Sequence, residues 1–179
     1  SYADFLNKVT IKAALRSSTV STNDLNGFYD GFAMEKNLEV EGNLSGTLND
    51  LSIKDIHFYH EQTAIEGENI LLRNSFSSDK DFVFWGDFPH LSTSYGDVVS
   101  LMPKLLQHAI PEQVRDFGFI EGQAEVTYTT QDFLIDADIF TQKGDFIIQG
   151  SFYDLNDIRA TTYKGKLETY QLQLGSLLG

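Results

Sequence analysis

Apolar and polar residues alternate along most of this 179-residue chain, and this alternation limits the folds open to it. In residues 8–16, Val9, Ile11, Ala13 and Leu15 alternate with polar or basic residues. A period of two is the pattern of a β-strand with one apolar face. The same pattern predicts strands near residues 8–16, 37–48, 51–60, 63–73, 80–88, 119–130, 132–141, 145–153 and 158–174. The short connections between them predict antiparallel pairing.

Two stretches break the alternation. Asp24 can cap a short helical turn within residues 22–34. Residues 95–117 carry an apolar stripe at helical spacing, which Pro103 interrupts and Pro111 restarts. We therefore predict a mainly β fold of antiparallel up-and-down strands, with a short helical interruption near 95–117.

A second pattern recurs at residues 15–25, 88–98 and 167–177. Each copy ends a predicted strand and runs through small polar residues toward an apolar turn. Such recurrence is typical of stacked β units. We assign residues 1–93 to the first unit and residues 94–179 to the second, which begins with the helical link, and expect one continuous module. Because the last residues look like the start of another unit, we expect a piece of a longer protein.

The charge of the chain excludes some partners. It carries 13 basic and 26 acidic residues, a formal net charge of −13. Nucleic acids and anionic lipid surfaces are bound by concentrated Lys and Arg, so neither is expected as a surface partner. The chain has no cysteine, which excludes disulfides, thiol catalysis and Cys-ligated zinc.

No group of residues has the composition of an active site. His57 and His60 lie three apart on a predicted strand, so they point to opposite faces and could hardly share a metal ion. Asp136 and Asp138 share a strand face, but outward-facing acids are the simpler interpretation, since no His, Ser or Lys motif accompanies them. We predict no catalytic residue, no cofactor and no metal site.

The apolar sides of the predicted strands need a cover, and the one helical region is too short to supply it. The sheet could close on itself, or it could curl into an open β-groove whose apolar inside meets an apolar ligand. The residues predicted to line such a groove are Val9, Ile11, Ala13, Leu15, Phe82, Phe84, Ala124, Val126, Tyr128, Phe133, Ile135, Ala137, Ile139, Phe146 and Ile148.

Several short motifs follow one another in the second half. They are Thr-Ser-Tyr-Gly-Asp-Val at 93–98, Pro-Glu-Gln-Val-Arg-Asp-Phe-Gly at 111–118, Ile-Glu-Gly-Gln at 120–123, Asp-Ile-Phe-Thr-Gln-Lys-Gly at 138–144, Tyr-Lys-Gly-Lys-Leu at 163–167 and Leu-Gln-Leu-Gly-Ser-Leu-Leu at 172–178. Their order and spacing resemble the TamB family, within the AsmA-like group of Gram-negative envelope proteins, in the style of Bacteroidetes members. Residues 1–93 resemble it more loosely, best at 46–53.

The resemblance implies a segment of an inner-membrane-anchored protein that spans the periplasm as a repeating β-groove, or β-taco. It implies carriage of phospholipid, held by its acyl chains, between the inner and outer membranes in support of outer-membrane biogenesis. It also implies an Omp85-class outer-membrane partner for the full-length protein. Two alternatives stay open. One is a chaperone-like module that assists assembly of outer-membrane barrel proteins, and the other is a closed structural β-domain.

Overall fold

Nine antiparallel strands form a single sheet in the order of the chain. The computed structural model describes residues 2–26, 32–77, 80–103, 112–154 and 160–173. The strands are β1 (Ile11–Ser21), β2 (Asn37–Gly46), β3 (Leu51–His60), β4 (Thr63–Arg73), β5 (Val83–Ser94), β6 (Phe119–Thr129), β7 (Phe133–Thr141), β8 (Gly144–Tyr153) and β9 (Thr162–Tyr170). β1 and β9 each pair on one side only, so the sheet is open. The prediction of a mainly β, antiparallel, up-and-down fold is confirmed.

Short helices lie at the two ends of the sheet. They are α1 (Tyr2–Lys8), α2 (Thr22–Leu25), α3 (Tyr95–Leu101) and a 3₁₀ helix at Glu112–Phe117. α3 and the 3₁₀ helix fall in the predicted interruption, and residues 104–111 between them lie outside the described part of the chain. Both elements belong to the connection between β5 and β6.

Several predicted boundaries are wrong; β9, for example, is Thr162–Tyr170 where 158–174 was predicted. The largest differences have local reasons. The first strand begins at Ile11 rather than residue 8, because Lys8 is the last residue of α1, where it pairs with Asp4 one turn earlier. β1 continues to Ser21 because a register shift between Leu15 and Ser18 absorbs the break in alternation. Bulges of this kind insert an extra residue without ending a strand.

A similar irregularity explains β5. The prediction ended this strand at residue 88, next to Pro89, but β5 runs to Ser94. The register against β6 shifts between Phe88 and Leu91, which places the proline where no ladder hydrogen bond is needed.

The cap of α2 also differs from the prediction. Ser21, not Asp24, accepts the N–H of Asn23, and residues 27–31 of the predicted turn lie outside the described residues.

The first two copies of the recurring pattern occupy equivalent places. One leads from β1 through Ser21 into α2, and the other leads from β5 through Ser94 into α3. Both serines cap a helix with an aspartate in its first turn. The third copy begins in β9, and its residues 174–177 lie outside the described residues. β5 and β6 pair across the predicted 93/94 boundary, so the two proposed units share one sheet.

Few apolar residues are buried. Among the described residues they are Leu6, Leu38, Ile70, Leu101, Ala124 and Ala137. The accessible surface of the chain is 11388 Å², whereas a compact monomer of 20.1 kDa exposes about 8,700 Å². The fold therefore leaves about 30% more surface exposed than a compact domain of this mass.

Two leucines of the sheet, one buried and one exposed, test which part of the sheet forms the buried core. Leu38 in β2 is 0% exposed and Leu167 in β9 is 63% exposed. We expect Leu38→Ala to lower the free energy of unfolding by about 2–5 kcal/mol, because it leaves a cavity. Leu167→Ala should change it by no more than about 0.5 kcal/mol. Urea denaturation of both variants measures the difference, and equal effects would contradict this description of the core.

Candidate functional site

Cross-strand pairing aligns side chains in rows that cross the whole sheet. Directly paired residues of neighbouring strands point to the same face, so each row lies on one face. The first row is Ile11, Gly46, Leu51, Leu72, Phe84, Tyr128, Phe133, Phe152 and Tyr163. The second row is Ala13, Leu44, Ile53, Ile70, Gly86, Val126, Ile135, Gly150 and Gly165. The third row is Ser18, Val40, Phe58, Ile65, Leu91, Gly122, Ile139, Phe146 and Thr169.

These three rows define the apolar face, and none of their residues is Asp, Glu, Lys or Arg. Partial rows between them add further apolar residues, among them Phe88, Ala124, Ala137, Ile148 and Leu167. All described strands belong to one sheet, so no second sheet covers this face. Most of its side chains are only half-buried. At the β9 side exposure increases, to 81% for Tyr163.

The opposite face is polar and acidic. One of its rows contains three neighbouring carboxylates, those of Asp87, Glu125 and Asp136. Glutamine and tryptophan side chains donate to these acids, as in the 3.2 Å bond from Trp85 Nε1 to Glu125 Oε1. These carboxylates repel anionic headgroups from this part of the face.

Hydrogen bonds on the polar face shift two carboxyl groups. The Ser17 hydroxyl donates to Glu41 and lowers the pKa of that carboxyl. The hydrogen bond from the Lys166 ammonium lowers the pKa of Glu168, and the Tyr170 hydroxyl adds to this. Both carboxyls are ordinary solvated acids with local donors, and neither is placed as a proton donor at neutral pH.

Two connections meet at one end of the apolar face. The N–H of Ala33, after α2, donates to the carbonyl oxygen of Leu101 in α3 at 2.8 Å. Thr22, the first residue of α2, is fully buried, and its Oγ1 accepts the Lys36 N–H at 3.0 Å. This hydrogen bond joins the start of α2 to the residue that precedes β2. On the β8 side, the ring of Phe117 meets that of Phe146 edge to face, with centroids 5.2 Å apart. We call this group of contacts the end cap.

Asp97 fastens α3 to the sheet. Its carboxylate is 8% exposed and accepts the Gln62 N–H at 2.8 Å and the Thr63 hydroxyl at 3.2 Å. Its own N–H is accepted by the Ser94 hydroxyl. Asp97 therefore ties the start of α3 to the turn between β3 and β4.

The register places most of the predicted lining residues together. Ile11, Ala13, Phe84, Val126, Tyr128, Phe133, Ile135, Ile139 and Phe146 are members of the three rows, and Leu15, Ala124, Ala137 and Ile148 lie on the same face. Phe82 precedes β5, with its ring 6.2 Å from that of Tyr128. Val9 lies between α1 and β1, outside the sheet, and is 43% exposed.

Sequence reasoning missed the apolar residues of β2, β3 and β4. In β3 the alternation changes phase at Asp55, whose φ is +52°, so Ile53 and Ile56 face the same side. A change of phase hides a common face from any test that assumes a strict period of two. The sequence signal that could have identified these residues is the single break, at Asp55, in an otherwise regular alternation of apolar and polar residues.

Neither protein-family models, nor curated proteins, nor solved structures give a match to this chain. The resemblance to the TamB family therefore remains a prediction. Among the described residues, no helix has the length and hydropathy of a membrane span, and no group of His, Cys, Asp and Glu could hold a metal ion.

The equivalent aspartates of the first two sequence copies test the role of Asp97. Asp97→Ala removes the acceptor of the buried Thr63 hydroxyl and of the Gln62 N–H, which should lower the free energy of unfolding by about 1–3 kcal/mol. Asp24→Ala is the control, since Asp24 holds the same place in α2 but is exposed, and should cost no more than about 0.5 kcal/mol. Thermal and urea unfolding of both variants measure these values. A similar loss in the two would show that Asp97 does not fasten α3.

Proposed function

We propose that the apolar face holds the acyl chains of phospholipid, and that the chain is a groove segment for carrying lipid. The observation that supports this most is the face itself: three rows cross all nine strands without one charged residue. Water-exposed apolar surface of this extent is unusual unless something apolar covers it.

The mechanism needs only partition between water and the face. Each methylene moved out of water contributes about 0.8 kcal/mol, so a few methylenes in contact already favour binding. Headgroups stay in solvent at the open side of the sheet. The rows run from strand to strand without an interrupting charge, so a chain can move along them without placing an unpaired charge against hydrocarbon. No bond is made or broken, and no catalytic residue takes part.

The cellular role that we propose is the one implied by the resemblance. The segment would belong to a longer periplasmic protein that is anchored in the inner membrane and carries phospholipid toward the outer membrane. An Omp85-class protein would be its outer-membrane partner.

A second candidate is a module that pairs with strands of client proteins, and the edge of β9 favours it. β9 pairs with β8 through nine consecutive residue pairs without a register shift, and no other described strand pairs with its second edge. Tyr163 and Leu167 are exposed beside that edge. A regular edge strand can accept a further strand by backbone hydrogen bonds, although Lys164, Lys166 and Glu168 make this edge more polar than the apolar face.

Adjacent residues of β7 test the proposal. Ile135 lies in the second row, and Leu134 lies on the opposite face, 37% exposed. On an open face, Ile135→Asp reaches water and should cost no more than about 2 kcal/mol of folding free energy. It should weaken binding of a fluorescent phosphatidylcholine at least about tenfold, whereas Leu134→Asp should leave binding unchanged. Urea unfolding and lipid titration measure the two effects.

Three results would count against the lipid proposal. Unfolding of the Ile135→Asp protein would mean that the face is a closed core. Equal weakening by the two variants would mean that the binding has no preference for the apolar face. Absence of phosphatidylcholine binding to the unmodified chain, together with capture of an extended peptide at β9, would favour the strand-pairing candidate.

A further inference from the structure

A cavity of about 260 Å³ lies between α3 and the apolar face. Its floor includes Ile65, Leu91, Gly122 and Ile139, which are four consecutive members of the third row. Its roof is formed by Val98 and Leu101 of α3, together with Met102.

The polar side chains that face this cavity hydrogen-bond one another or Asp97. The Oγ1 atoms of Thr63 and Thr93 lie 2.8 Å apart and hydrogen-bond each other, and Thr63 also donates to Asp97. Glu121 and Ser92 line the cavity as well, but strand alternation places their side chains on the polar face. Water is held in a cavity by two to four polar partners, and apolar cavities of about 150 Å³ stay dry and bind molecules such as benzene. The cavity is therefore suited to an apolar occupant.

The cavity lies at the end of the apolar face that carries the end cap. The Asp97 contacts and the bond from Ala33 to Leu101 hold α3 over the sheet there. From this geometry we propose that the cavity receives the terminal methyl end of an acyl chain lying on the apolar face, which rests on the proposed function. A peptide segment is a poorer occupant, since its N–H and C=O groups would find no partner there.

Photocrosslinking on the full chain tests this. One palmitic acid probe carries a diazirine at its terminal carbon, and a second carries it next to the carboxylate. Peptide mapping should place the terminal probe's crosslinks at the residues that line the cavity, within 63–65, 91–102, 120–122 and at Ile139. The carboxylate-proximal probe should label other parts of the apolar face.

Neighbouring valines of α3 supply matched variants. Val98 lines the cavity and Val99 does not. Val98→Trp should lower terminal-probe crosslinking at the cavity about tenfold, the effect of removing about two methylenes from apolar contact. Val99→Trp should leave it unchanged. If Val98→Trp fails to fold, the smaller change Val98→Phe, with Val99→Phe beside it, gives the same comparison.

The outcomes separate this inference from the proposed function. Crosslinks of the terminal probe on the apolar face but outside the cavity would overturn the cavity assignment and leave the proposed function standing. Equal labelling of the cavity by both probes would overturn it too, because the chain would then have no defined direction. Crosslinks nowhere on the apolar face would contradict both.

Discussion

The cross-strand register is the constraint on which the rest of this structure depends. Because it pairs residues such as Ile53, Ile70 and Gly86 directly, it gathers apolar side chains from nine strands onto one face. A slip of one residue in any strand would move its apolar side chains to the acidic face. The register shifts near Ser17, Asp55 and Pro89 keep the rows aligned where the sequence alternation breaks.

A single-layer sheet of this kind meets an unusual requirement. Most sheets bury an apolar face against a second layer, whereas the short helices described here cover its ends. The end cap combines the polar contacts of Thr22 and Ala33 with the aromatic contact of Phe117, Asp97 fastens α3 beside it, and the middle of the face stays half-buried. Such a structure combines a defined backbone with an apolar surface that a flexible hydrocarbon ligand can cover.

Much of the fold could be predicted from the sequence, because alternation in β3, β4 and β7 gives nearly the observed bounds. The ends of β1 at Ser21 and of β5 at Ser94 could not be predicted. In the sequence, a β-bulge breaks the alternation of apolar and polar residues in the same way as the end of a strand does. The lining residues of β6 to β8 could be identified from the alternation of apolar and polar residues alone. Those of β2 to β4 needed the pairing partners, and the cavity under α3 needed the path of a connection that sequence patterns do not describe.

The central claim is that the apolar face is an open surface for lipid. Native mass spectrometry of the chain, expressed in a Gram-negative periplasm and purified without detergent, tests it most directly. The account predicts adducts at phospholipid masses that are lost on delipidation and return when phosphatidylethanolamine vesicles are added. A bare protein mass throughout, with no adduct even after incubation with vesicles, would contradict it.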